Sequence, residues 1–156
     1  MRKKIEINYE YFESTKELSR EELGLFQAAD EAMENAYAPY SKFKVGAAIL
    51  LDDGTIVKGS NQENVAYPSG LCAERTAIFA AGSNFPDKKI KKIAIVAKGD
   101  LISVENTLSP CGSCRQVMAE TESRQREAFE ILLRNFNGSV VKFKGISSLL
   151  PFVFGE

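Results

Sequence analysis

The chain has 156 residues, 44% of them hydrophobic, and twenty Lys and Arg against twenty-one Asp and Glu give a formal charge of -1. That length supports one domain with an ordinary core, while no block of like charge marks a nucleic-acid face and no apolar run approaches a membrane span. Histidine is absent, which excludes Ser-His-Asp and Cys-His nucleophilic machinery and His-Glu-x-x-His metalloproteases and leaves chemistry to Cys, Asp, Glu, Lys and Tyr.

Met1-Arg2-Lys3-Lys4 is basic, but residues 5–12 then alternate apolar and polar, so no apolar signal-peptide segment follows. Ile5, Ile7, Tyr9 and Tyr11 share one side of that segment, which predicts a short strand or an extended arm. Ser19 and Glu22 have the spacing of a capping box, and Leu23, Phe26, Met33 and Tyr37 recur at helical spacing, so a helix is predicted over 19–35 and stopped by Pro39. Residues 43–51 and 55–60 read as two strands joined at Asp52-Asp53-Gly54, a hairpin. An Ala-rich helix is predicted over 71–81, with Gly82 suited to the left-handed position after it. Ile93-Ala94-Ile95-Val96-Ala97, within 90–98, predicts a central strand covered on both faces. Pro110 opens a helix over 111–123, followed by strands near 129–134 and 139–144 around Asn137-Gly138 and a helical turn near 147–150. The order predicts an α/β fold, a three-layer α/β/α sandwich around a mixed sheet of about five strands. Residues 1–18 read as an N-terminal extension and 19–156 as a single catalytic domain without repeat or linker.

All three cysteines lie in two short motifs, Cys72-Ala73-Glu74 and Pro110-Cys111-Gly112-Ser113-Cys114. Three thiols beside a carboxylate make the ligand set of a catalytic zinc site with a position left for water. A structural site would want a fourth protein ligand, which the chain could supply only as an oxygen. Cys72 and Cys111 each open a predicted helix, where free N–H groups and the positive dipole end favour thiolates. The Cys-x-x-Cys spacing sets Cys111 and Cys114 on nearly the same side of a first turn. Glu74, two residues from Cys72, can reach a metal-bound water without being a ligand, which makes it the proton carrier. Three thiolates weaken zinc as a Lewis acid, and Arg75 and Arg115 are the candidates to donate to ligand sulfurs and offset that. Alone, Cys-x-x-Cys reads equally as a redox motif or half of a zinc ribbon; the upstream Cys-Ala-Glu and the proline before Cys111 favour catalysis. Iron or another divalent ion would also accept thiolates, but hydrolytic chemistry favours zinc. Unpaired thiols suit a reducing cytosol, so a cytoplasmic location is expected.

These residues resemble the zinc-dependent cytidine deaminase family, specifically its small homotetrameric branch with three cysteine ligands. Tyr37-Ala38-Pro39-Tyr40-Ser41-Lys42-Phe43-Lys44-Val45-Gly46-Ala47-Ala48 looks like the family's opening motif, and Gly59-Ser60-Asn61-Gln62-Glu63-Asn64 like its ribose-binding strand end; coverage runs over about 19–154. The resemblance implies one zinc per subunit and hydrolytic deamination of cytidine and deoxycytidine to uridine and deoxyuridine plus ammonia, in pyrimidine salvage. Activated water adds at C4 while Glu74 carries protons to N3 and to the departing amine. By the same resemblance Phe43 packs on the pyrimidine, Asn61 and Glu63 bond the ribose 3'-hydroxyl, and the N–H groups around Cys72 and Ala73 with the Ser109 carbonyl meet the base edge. Tyr67, Phe152 and Phe154 resemble positions that reach a neighbouring subunit's site in a homotetramer. Outside these motifs Asn61 and Glu63 would read as turn polars and Phe43 as strand core. The rival expectations are a deaminase of a related aminopyrimidine nucleoside such as blasticidin S, and a non-catalytic zinc-stabilised binding module. Neither a nucleic-acid polymer nor a membrane is an expected partner.

Overall fold

The structure, a computed structural model, describes residues 1–155. Helix α1 (Arg20–Glu34) starts where the capping box requires: the Glu22 N–H donates to Ser19 Oγ, and the Ser19 N–H and hydroxyl donate to one Glu22 carboxylate oxygen at 2.9 and 2.8 Å. Strands β1 (Glu10–Phe12), β2 (Lys44–Leu51), β3 (Ile56–Ser60), β4 (Ile90–Lys98), β5 (Glu130–Arg134) and β6 (Val140–Phe143) form one sheet in the order β1-β6-β5-β4-β2-β3. β4 and β5 are parallel and every other neighbouring pair is antiparallel, so the sheet is mixed, with the apolar β4 in its interior.

The initial segment does join the sheet. Glu10, Tyr11 and Phe12 pair with Lys142, Val141 and Val140 and add a sixth strand to the five expected, while residues 1–9 lie in no strand or helix and leave Ile5, Ile7 and Tyr9 exposed. Arm and strand are both present. Phe12 and Leu18 pack into the core beneath α1.

Alternation along the strands feeds two cores, one on each face. Ala48, Leu50, Ala94, Val96, Leu132 and Val140 pack against Leu25, Phe26, Ala29 and Met33 of α1. Ala47, Ile49, Ile93, Ile95, Ile131 and Leu133 pack against Ala77, Ile78 and Ala81 of α2 (Ala73–Asn84) and Met118 of α3 (Gly112–Gln125). These are the three layers of an α/β/α sandwich. α2 runs past Gly82 to Asn84, so Gly82 lies inside the helix rather than in the left-handed position after it. The stop is instead at the cap residue Phe85, which precedes Pro86 and is driven from helical angles by it.

Gly59 in β3 sets the depth of α2. A Cβ there would lie 2.5 Å from the Ala77 nitrogen and 2.6 Å from the Ala73 carbonyl oxygen, both backbone atoms of the first turns of α2. Gly59→Ala is therefore expected to cost about 2 kcal/mol or more in urea unfolding and to lower zinc retention, because α2 must shift outward; unchanged stability and zinc content would show that the helix yields freely.

Glu22 is buried between Lys92 and Lys142, each 3.4 Å away. Burial alone would raise its pKa, but the Ser19 donors and the two ammonium groups bring it down to about 2. A carboxyl depressed on folding adds stability above its unfolded pKa, ordinarily near 4.5, that is lost as pH falls toward 2. The stability gap between the native chain and Glu22→Gln is expected to be about 2 kcal/mol at pH 7 and to close between pH 4.5 and 2. A gap in urea unfolding that stays constant over that interval would contradict this assignment.

Candidate metal centre and cleft

Cys72 and Cys111 are the N-cap residues of α2 and α3, with extended backbone angles and no capping hydrogen bond from their side chains. Both sulfurs are left for another partner at helix ends whose first N–H groups are unpaired within the helix. The two helices meet there. Cys72 Sγ lies 3.8 Å from Cys111 Sγ, Cys111 Sγ lies 3.5 Å from Cys114 Sγ, and all three sulfurs fall within 4.8 Å of one another. Sulfurs each 2.3 Å from a tetrahedral zinc are about 3.8 Å apart, so the donor set fits that ion, whereas disulfide sulfurs would be in covalent contact.

Electrostatics point the same way. The Cys72 thiol is brought down to about 5, first by hydrogen bonding with Cys114 and then, against burial, by Arg75 and Cys111. Cys114 is pushed upward by that same bond to Cys72, by burial and by Glu74. A divalent cation held by the three sulfurs would favour their thiolate forms. Arg75 Nη2 lies 3.8 Å from Cys72 Sγ, and among the described residues its buried Nε has no hydrogen-bond partner.

Glu74 sits in the first turn of α2 at 5% exposure. Burial is the chief reason its pKa is raised to about 7, with the Cys72 thiolate acting in the same direction and its own backbone N–H and Arg75 opposing. A carboxyl that exchanges a proton near neutrality suits general acid and base work.

Phe43, Asn61, Glu63, Tyr67, Cys72, Glu74 and Ser109 all line one cleft of about 1100 Å³, and Ala73 is buried behind its wall. Asn61 bridges β2 and β3: its Nδ2 donates to the Phe43 carbonyl and its Oδ1 accepts the Val45 N–H, both at 2.8 Å. Glu63 accepts the N–H groups of Tyr40 and Ser41 and the Ser41 hydroxyl, which hold its carboxyl below the usual range. The two side chains thus fasten segment 40–45, and with it the Phe43 ring. Ser41, which sequence reasoning did not single out, closes the arrangement by accepting the Phe43 N–H at 3.0 Å. Asn135 was likewise missed: its Oδ1 accepts the Leu108 N–H at 3.0 Å and steadies the approach to Ser109, across 27 residues of chain.

Arg115 does not serve the sulfurs. Its Nε donates to the Pro110 carbonyl at 2.9 Å, Nη1 to the Leu149 carbonyl at 2.7 Å and Nη2 to Ser109 Oγ at 2.7 Å. It lies one residue past Cys114, about 100° further round the helix, which carries it off the sulfur side. Tyr67, Phe152 and Phe154 are 92%, 80% and 88% exposed, so their own chain leaves them uncovered.

The family model of the cytidine and deoxycytidylate deaminase zinc-binding region matches residues 19–128. A cytidine deaminase of Halalkalibacterium halodurans is 41% identical over 130 residues, covering 83% of this chain and 91% of that protein. One from Mycobacterium tuberculosis is 37% identical over 127 residues, covering 81% and 84%. The crystal structure of a cytidine deaminase from Burkholderia pseudomallei superposes with a TM-score of 0.74 at 38% identity, over 88% of this chain and all of that one.

The protein purified with zinc is expected to carry one ion per chain by elemental analysis and to shield its thiols from a colorimetric disulfide reagent until a chelator is added, when all three react. Cys114→Ser should bind zinc at least tenfold more weakly. Three freely reactive thiols in the zinc-loaded protein would remove them as ligands.

Proposed function

The chain belongs to the cytidine and deoxycytidylate deaminase family, and from that premise we propose that Cys72, Cys111 and Cys114 hold one zinc while Glu74 moves the protons. Zinc-dependent hydrolytic deamination of cytidine is its activity. The observation that carries the assignment of residues is the buried carboxyl of Glu74 in the same cleft as the sulfur cluster, two positions from Cys72.

When bound, zinc supplies Lewis acidity that lowers the pKa of a water toward neutrality. Glu74 takes a proton from that water and delivers it to N3 of the pyrimidine, so that C4 becomes electrophilic and the water oxygen adds there. The same carboxyl then passes the remaining hydroxyl proton to the amine, ammonia leaves, and the 4-oxo base remains. One water enters and one ammonia departs, with Glu74 returned to its starting state. Its poise near neutrality lets it act in both directions.

The unpaired N–H groups at the α2 terminus, around Cys72 and Ala73, and the Ser109 carbonyl face the base edge in this reading. Phe43 forms the wall against which the ring packs. Asn61 and Glu63 take the sugar 3'-hydroxyl through lone pairs that their bonds to segment 40–45 leave open, so an analogue lacking that hydroxyl forfeits the contact. Residues 19–156 form the catalytic domain, and 1–18 are an extension that adds β1 to its sheet.

A cleft of about 1100 Å³ slightly exceeds the roughly 300–1,000 Å³ of small-ligand pockets, and it is edged by the exposed Tyr67. That, with the uncovered Phe152 and Phe154, supports a homotetramer in which neighbouring copies complete each site. The unpaired thiols support a cytoplasmic location. No helix among the described residues is long and apolar enough to cross a membrane.

The test is the fall in ultraviolet absorbance on adding zinc-loaded protein to cytidine, deoxycytidine or blasticidin S. Both nucleosides should be consumed faster than the antibiotic, and Glu74→Gln should lose about 10³-fold or more in kcat while keeping its zinc. Near-normal turnover by that variant would refute the role of Glu74, and preferential loss of blasticidin S would reassign the substrate.

A further inference from the structure

Two consecutive side chains of α3, Arg115 and Gln116, hold the C-terminal segment to the helix that begins at the sulfur cluster. Gln116 pairs with the backbone of Phe154 in two directions: its Nε2 donates to the Phe154 carbonyl at 2.7 Å, and its Oε1 accepts the Phe154 N–H at 3.2 Å. Arg115 connects that segment to the opposite side of the helix start, with one donor on the Leu149 carbonyl and two on the Ser109 hydroxyl and Pro110 carbonyl. Among the described residues it forms no ion pair with a carboxylate. A guanidinium spent wholly on uncharged acceptors from two segments 34 or more residues apart is a geometric brace. Its planar fork of donors suits three fixed acceptors in a way that a single ammonium does not.

We propose that Arg115 is a positioning residue that sets the Ser109–Pro110 peptide and the C-terminal segment against each other, so that the base-edge carbonyl and the tail bearing Phe152 and Phe154 are placed as one unit. The inference rests on the deaminase reading above, in which the Ser109 carbonyl meets the base. Ser109 is the residue whose hydroxyl Arg115 grips, and Pro110, whose carbonyl it also grips, leads directly into the ligand Cys111. Release of the brace leaves the cysteines in place on their helix but frees the peptide that precedes them. Binding of the nucleoside suffers more than the proton transfers at Glu74. Gln116 anchors the far end of the tail alone, and it has no bond to the Ser109–Pro110 peptide.

Amide hydrogen exchange read by mass spectrometry on the zinc-loaded full chain, combined with cytidine kinetics and zinc analysis, tests this. Arg115→Met should speed exchange in both the 107–112 and the 149–155 peptides and raise KM at least fivefold with a smaller fall in kcat, at unchanged zinc content. Arg115→Lys should recover part of the KM, and Gln116→Ala should speed exchange only in the tail. Exchange and KM in Arg115→Met equal to the native protein would overturn the proposal. So would a loss of activity that follows loss of zinc, since that would return Arg115 to the sulfurs. If Arg115→Met does not fold, Arg115→Lys decides by the same two readouts. A native protein that deaminates neither nucleoside would sink the substrate reading, whereas the paired change in exchange would still judge the brace.

Discussion

The meeting of two helix N-termini at one point is the constraint on which the site depends. β3 and β4 are both antiparallel to β2, so they run parallel to each other, and β4 and β5 are parallel by direct pairing. A parallel pair demands a crossover, and crossovers in such sheets share one hand. α2 connects β3 to β4, and α3 connects β4 to β5. Both helices therefore cover one face, and both begin at the carboxyl ends of the strands they follow, where open α/β sheets place their ligands. Cys72 and Cys111 are the caps of those two helices. Topology brings the sulfurs to within bonding distance of a common ion before any local interaction acts.

Such convergence carries an electrostatic cost. Three thiols and a buried carboxyl lie together: burial, with the Cys72 thiolate acting in the same direction, pushes Glu74 upward, and the bond to Cys72, burial and Glu74 push Cys114 upward. Two helix ends and Arg75, whose Nη2 lies 3.8 Å from Cys72 Sγ, offset part of it. A divalent cation held by the sulfurs would offset that cost by favouring their thiolate forms. The metal is thus part of the folding balance as well as of the chemistry. Burial more than repulsion raises Glu74 to about 7, where a carboxyl is able to give and take protons.

What sequence reasoning reached and what it missed divide along the range of the interactions. The capping box of α1, the turns at Gly54 and Gly138, the buried run of β4 and the Cys-x-x-Cys bite are all local, and the structure has them. Gly82 looked like a helix end because glycine favours left-handed angles, yet the helix tolerates it and stops where Pro86 constrains Phe85. β1 was ambiguous because a strand of three residues exists only by virtue of the β6 edge, whose position no local pattern discloses. Adjacency to Cys114 makes Arg115 a second candidate donor to sulfur, beside Arg75, but its side chain bonds elsewhere. Its Leu149 acceptor lies 34 residues onward, and only the fold brings the two together.

Segment 40–45 shows how a binding wall and a recognition group come from the same atoms. Asn61 is buried because its amide replaces ladder hydrogen bonds between the ends of β2 and β3, and Glu63 is held because Tyr40 and Ser41 need an acceptor. Each retains acceptor capacity beyond these bonds, as an amide oxygen and a carboxylate have lone pairs to spare. A sugar hydroxyl arriving there meets groups already fixed by the backbone, so little side-chain freedom remains to be lost on binding. The same fastening fixes Phe43, whose ring is also held against Phe136 at 6.2 Å. In the deaminase reading proposed above, base wall and sugar contact would therefore belong to one fastened segment, and a substrate that fits one would meet the other at a set distance. On that reading, selectivity would reside in the spacing between a ring and a hydroxyl, set by the β2–β3 hairpin through Asn61 rather than by the metal centre on the facing helices.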